Sequence, residues 1–234
     1  MHKIVIPDEI VARVTRLRGK LHAFDSLVGP STALLVVDLQ NCFMLPPYPT
    51  EVPVARAIVP NVNRLAAATR GAGGTVVWIQ MTHSDTDKQT WSVFYDDVCN
   101  PANSDAGVER LRRGTHGQAL HADLDVQAGD MKVEKSRFSA FIQGSSDLDK
   151  LLKTHGIDTV LVTGTVTNTC CESTARDAMM LNYKTVMVSD ANAAATDAEH
   201  NATLGNILRI FGDVMSTDEV IARLMPASKA AAAE

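Results

Sequence analysis

Short, almost wholly apolar runs recur along this chain between longer stretches with helical spacing, and that alternation limits the fold more than any other feature. The runs lie near residues 33–38, 75–80, 131–134, 158–163, 184–189 and 213–215. In Leu34-Leu35-Val36-Val37 both strand faces are hydrophobic, which suits a parallel strand covered by helices on each side rather than a half-exposed antiparallel one. Apolar residues at 58, 59, 62, 65 and 66 predict a helix, with Pro60 in its first turn and Gly71 and Gly73 at its end. Further helices are expected from Leu148 to Gly156, over 171–181, over 197–211, and behind a Ser216/Glu219 capping box. Right-handed crossovers then predict an α/β fold: an open, doubly wound, six-stranded parallel sheet flanked by helices.

Two regions depart from this rhythm. Residues 8–18 carry Ile10, Val11, Val14 and Leu17 at helical spacing, which predicts an amphipathic helix in an N-terminal arm (1–29), placed to pack on a second subunit. Residues 81–130 predict a long irregular insertion, of the kind that forms lids or oligomer contacts. With 234 residues, 45% of them hydrophobic, the chain can bury one core, so a single domain over 1–234 is expected, with a frayed Ala-rich tail at 227–234.

A formal charge of −5 and the lack of any Lys/Arg-rich run leave no footprint for nucleic acid or an anionic membrane. No apolar stretch reaches the roughly 18 residues of a membrane span. The start MHKIVIPDEI is unlike a secretory signal, so a cytoplasmic protein is expected. Cys42, Cys99, Cys170 and Cys171 are too few, and two of them too close together, for a disulfide framework; reduced thiols are expected.

In open parallel sheets ligands sit beyond the carboxyl ends of the strands. Asp38 and Lys135 directly follow apolar runs there, and Cys170 comes a short turn after another. Singly, each has an ordinary reading as a cap, a solvent-seeking ammonium or a small core residue. Together they supply a proton acceptor, a cation and a thiol, which a sulfur nucleophile needs at neutral pH. The turn before Cys170 runs into an expected helix, whose unpaired N–H groups favour a thiolate and an oxyanion alike.

Three motifs carry a resemblance: Val37-Asp38-Leu39-Gln40-Asn41-Cys42-Phe43, Lys135-Ser136-Arg137-Phe138-Ser139-Ala140-Phe141, and Gly164-Thr165-Val166-Thr167-Asn168-Thr169-Cys170-Cys171-Glu172-Ser173-Thr174-Ala175-Arg176-Asp177-Ala178. Over about residues 30 to 222 the chain resembles the isochorismatase-like cysteine hydrolase superfamily. The resemblance implies a triad of Asp38, Lys135 and Cys170, an oxyanion hole from the backbone N–H groups of Thr167 and Cys170, and a non-proline cis peptide at Val166–Thr167. The pattern is most similar to ureidoacrylate amidohydrolases and related carbamoyl hydrolases. This implies hydrolysis of a small amide or carbamoyl compound through a thioester, with no cofactor, in a homo-oligomer of two or four chains. Vinyl-ether hydrolysis of the isochorismatase type and a non-catalytic, redox-sensing role are the alternatives. Metal-bearing relatives place several His after the first motif, but none occurs between His22 and His83, so no metal site is expected.

For substrate binding the candidates are Gln40, Asn41, Phe43, Trp91, Phe138 and Asn168, with Phe94 beside Trp91. Core packing is the ordinary reading for the aromatics and turn capping for Asn41 and Asn168. Arg137 is placed to meet an acidic substrate or to lie at the surface. His83 is a pocket candidate whose ordinary reading is a satisfied structural histidine. Arg176 and Asp177 are expected in structural pairs, Cys171 in packing, and Cys42 and Cys99 as structural thiols.

Overall fold

The computed structural model describes residues 1–226, so the tail expected at 227–234 lies outside the described residues. Six strands form one parallel sheet: β1 (Thr32–Val37), β2 (Thr75–Met81), β3 (Met131–Lys135), β4 (Thr159–Thr165), β5 (Lys184–Ala193) and β6 (Asp213–Met215). Their order is β3-β2-β1-β4-β5-β6. The chain starts at the middle, walks to one edge, and crosses back to build the other half, so the strand order reverses between β1 and β4. A crevice opens beyond the carboxyl ends of those two strands.

The α-helices of six or more residues are α1 (Asp8–Arg18), α2 (Ala55–Gly71), α3 (Asp85–Thr90), α4 (Pro101–Leu111), α5 (Leu148–Thr154), α6 (Glu172–Met180), α7 (Asp197–Asn206) and α8 (Thr217–Arg223). All of β1 is buried, because its alternate residues feed two cores. Ala33, Leu35 and Val37 meet α1, α5, α6 and α7 through Val14, Leu148, Leu152, Ala175 and Leu204. Leu34 and Val36 meet α2 and α8 through Ile58, Val62, Leu65 and Val220. Each such Leu, Val or Ile contributes about 1.5–3 kcal/mol by leaving water.

Two expectations need correction. Helix α2 begins at Ala55, so Pro60 lies inside it, beyond the first turn; the buried face of Ile58, Val59, Val62 and Leu65 offsets the missing N–H. Helix α1 packs its inner face on its own chain, where Val14 is buried in the core and Arg18 Nη2 donates to the carbonyls of Leu208 (2.7 Å) and Gly212 (3.0 Å), while Leu17 stays exposed. The 81–130 insertion is substantially helical, with α3, a wide turn over Val93–Val98, and α4. Its return to the sheet is fixed by Asp130, which accepts from Trp78 Nε1 (2.8 Å), Arg70 Nη2 (2.7 Å) and the Gln127 N–H (2.8 Å). Among the described residues, no helix is long and apolar enough to cross a membrane.

Candidate active site

Three strand ends deliver the three expected groups to one place. Asp38 follows β1 with φ of 53°, its N–H bonded to the Ile79 carbonyl at 2.9 Å. That left-handed backbone is uncommon for a residue with a side chain, though Asp tolerates it better than most. Here it turns the chain out of the sheet at the crevice. Lys135 closes β3, and Cys170 lies in the turn Thr167–Cys171 after β4. Asp38 and Lys135 are each 1% exposed, and Cys170 is buried with them.

Lys135 Nζ stands 2.8 Å from Asp38 Oδ2 and 3.1 Å from the Arg137 carbonyl. Cys170 is within hydrogen-bonding reach of both side chains. The Asp38–Lys135 contact is close but poorly aligned, and among the described residues neither carboxylate oxygen receives a well-directed hydrogen bond. Burial opposes the Lys135 ammonium, yet Asp38 and Cys170 outweigh it and hold the Lys135 pKa above the ordinary value. Burial, reinforced by Asp38, pushes the Cys170 thiol well up, and Lys135 only partly counters this. The resting arrangement is therefore an ion pair beside a protonated thiol, and the carboxylate retains lone pairs to take the thiol proton.

The turn carrying Cys170 depends on a close backbone approach. Gly164 pairs with Val37, its φ is +120°, and a Cβ there would stand 2.0 Å from the Val37 carbonyl oxygen. The non-proline cis bond is Thr165–Val166, one residue before the expected Val166–Thr167. No proline marks either bond, and local composition does not distinguish two successive peptides flanked by Thr and Val. The Val166 carbonyl accepts from the N–H groups of Thr169 (3.0 Å) and Cys171 (3.3 Å). Those two donors are engaged, and the Thr167 and Cys170 N–H groups are not among Val166's partners.

A buried histidine, which nothing in the sequence singled out, steadies this turn. His200 Nε2 lies 3.0 Å from the Ser189 carbonyl, which can only accept, so Nε2 carries the proton. Nδ1 then accepts from Thr167 Oγ1 at 2.9 Å. Burial lowers the His200 pKa to about 4, keeping this neutral tautomer. Cys171 points the other way, toward the Thr163 carbonyl at 3.8 Å, and packs in the core.

Cys170 opens into a cavity of about 350 Å3 walled by Phe43, Met81, Phe94, Tyr95 and Phe138 and roofed by the insertion. Of the expected binding residues, Phe43 and Phe138 line it, with Phe94; Gln40, Asn41, Trp91 and Asn168 do not. Gln40 is consumed in structure: it donates to the carbonyls of Met81 (2.9 Å) and Gln118 (2.7 Å) and accepts from the Met81 N–H (2.8 Å). Asn41 donates to the His116 carbonyl at 2.9 Å. Trp91 stands behind the wall, stacked on Phe94 at 4.2 Å and edge-on to Phe138 at 4.9 Å. Asn168 is exposed.

Arg137 lies over the Trp91 ring and bonds Asp87 and Thr90, so it braces α3 rather than facing the cavity. Arg176 pairs with Glu172 as expected. Cys42 and Cys99, expected to be structural, both reach the cavity wall. His83 is not a satisfied structural histidine: it lines the cavity, and neither ring nitrogen finds a partner among the described residues. Arg110 also lines the cavity, and among the described residues its guanidinium has no ion-pair partner. No group of three or more His, Cys, Asp and Glu among the described residues is arranged to hold a metal ion.

The comparisons with known proteins agree with one another. A model of the Isochorismatase domain matches residues 32–219. Ureidoacrylate amidohydrolase RutB from Variovorax paradoxus is 31% identical over 229 residues, covering 89% of this chain and 84% of the relative. A cysteine hydrolase from Pseudomonas syringae pv. phaseolicola superposes with a TM-score of 0.75 at 28% identity, over 87% of this chain and 96% of that one. N-carbamoylsarcosine amidase from Thermoplasma acidophilum does so with a TM-score of 0.64 at 27% identity, over 80% and 97%.

Proposed function

We propose that this chain, which belongs to the isochorismatase domain family, hydrolyses a carbon–nitrogen bond in a small amide or carbamoyl compound, with Cys170 as nucleophile. The observation that carries the reading is the buried Asp38–Lys135 pair, 2.8 Å apart and in reach of the Cys170 thiol at the cavity floor. An amidohydrolase and an amidase among the relatives support the bond class. The unpaired guanidinium of Arg110 favours a substrate that carries a carboxylate.

Because the thiol rests protonated, proton transfer to Asp38 accompanies attack of sulfur on the carbonyl carbon. The Lys135 ammonium stabilises the developing sulfur charge. The carbonyl oxygen becomes an oxyanion, which the Thr167 and Cys170 N–H groups bind. When the C–N bond breaks, Asp38 returns its proton to the departing ammonia or amine. The acyl group remains on sulfur as a thioester, or a thiocarbamate if the carbonyl is ureido. Water, deprotonated by Asp38, then attacks this carbonyl, and the thiol leaves with the proton. Every group in the scheme comes from one chain, so it does not require the expected homo-oligomer.

Intact-mass spectrometry during turnover of a panel of small amides and ureido acids tests this. An acyl adduct on wild-type protein, mapped to Cys170 and absent from Cys170→Ala, is the expected result. Ammonia or amine release that persists in Cys170→Ala would overturn it.

A further inference from the structure

Within the cavity wall, His83 and Tyr95 are nearly sealed from solvent, 8% and 2% exposed. Yet His83 Nδ1, His83 Nε2 and Tyr95 Oη have no hydrogen-bond partner among the described residues. Buried polar atoms almost always find partners within the protein or in water, and those that do not are candidates for a ligand-binding role. Three such atoms lie on two rings packed edge to face, 5.7 Å apart, and both residues line the Cys170 cavity. The neighbouring walls, Phe43, Phe94, Phe138 and Leu111, offer no hydrogen bond from their side chains.

We infer that His83 and Tyr95 are the specificity-determining pair of this cavity, reading the N–H next to the reacting carbonyl of the substrate, as in a ureido group. The inference rests on the hydrolase reading above and names its substrate class. A neutral imidazole presents one donor and one acceptor, and a phenol does the same. Burial lowers the His83 pKa to about 4, with Lys135 and Arg137 acting in the same direction and Asp87 against it, so the ring is neutral at neutral pH. A neutral acceptor on either ring matches the internal N–H of a ureido group and rejects an alkyl segment that leaves it unpaired. The pair is held for this: the His83 backbone N–H donates to the Leu111 carbonyl at 3.0 Å, and Ser104 Oγ donates to the Tyr95 carbonyl at 2.6 Å.

The test compares 3-ureidopropionate with glutaric acid monoamide, which has the same chain length but a methylene in place of the internal N–H. Wild-type protein is expected to favour the ureido acid by about tenfold or more in kcat/KM, the scale of one or two hydrogen bonds. Tyr95→Phe and His83→Leu should bring that ratio toward one, mainly through KM for the ureido acid, while His83→Gln, which keeps a donor and an acceptor, should restore much of it. Neither Tyr95→Phe nor His83→Leu breaks a bond within the protein, so both should unfold at urea concentrations no lower than wild type. A ratio unchanged in both variants, with Cys170 still acylated, would overturn the inference alone. A wild-type chain that acylates Cys170 with the monoamide but not the ureido acid would do the same. Failure of both compounds to label wild-type Cys170 while another amide of the panel does so would also overturn the inference alone, and failure of the whole panel would remove the hydrolase reading and this inference with it.

Discussion

At the residue scale the central fact is a carboxylate and an ammonium that share one dry site. Removing one member of such a pair strands the other charge, which costs about 3–5 kcal/mol, whereas replacing both by apolar groups is often close to neutral. Asp38→Asn is therefore expected to lose turnover and shift the urea midpoint downward. Adding Lys135→Met to it should recover much of the midpoint but none of the activity. A double variant as unstable as the single one would show that the pair is not the source of the loss. Cys170→Ala removes only a sulfur from a cavity floor, so activity should fall by roughly 10^3-fold or more while the midpoint stays close to wild type.

At the element scale, caps were more legible than paths. The capping boxes Ser84/Asp87, Thr196/Glu199 and Ser216/Glu219 start α3, α7 and α8, and the last was readable because a side chain and its N3 partner lie three residues apart. Helix α3 escaped notice because none of its residues is buried, so it has no apolar stripe. It is held instead by its cap and by Asp87, which meets Arg137 at 3.3 Å. Ser84→Ala should cost about 1 kcal/mol, raise KM severalfold with kcat little changed, and speed amide exchange across 84–98; unchanged exchange there would contradict it. Gly164→Ala meets a harder obstacle, a backbone oxygen at 2.0 Å. It should destabilise by on the order of 4 kcal/mol or more, read as a large fall in the midpoint or in soluble yield.

At the scale of the whole molecule, stability should depend on two buried histidines. Burial lowers both His83 and His200 from an ordinary value of 6.5 to about 4. Between those values the unfolded chain binds more protons than the folded one, so stability is full above about 6.5 and falls as pH drops toward 4. The loss is on the order of 3 kcal/mol for each histidine. Urea midpoints measured from pH 7.5 to 4.5 should decline across this window, with up to two protons taken up on unfolding near pH 5. A flat profile would mean that these rings carry charge in the folded state.

What the sequence determined by itself was the sheet, its helical cover and the location of Asp38, Lys135 and Cys170 at or just beyond strand ends. Those follow from local periodicity and from the rule that parallel strands finish on one side, both written in the order of residues. Only the tertiary structure decided the rest: that Gln40 and Asn41 are spent bracing the insertion, that Trp91 stands behind the wall, and that His83, Tyr95 and Arg110 face the cavity. The direction a polar side chain takes depends on which partners the fold brings within about 3 Å of it. Those partners come from distant segments, 78 residues apart for Gln40 and Gln118.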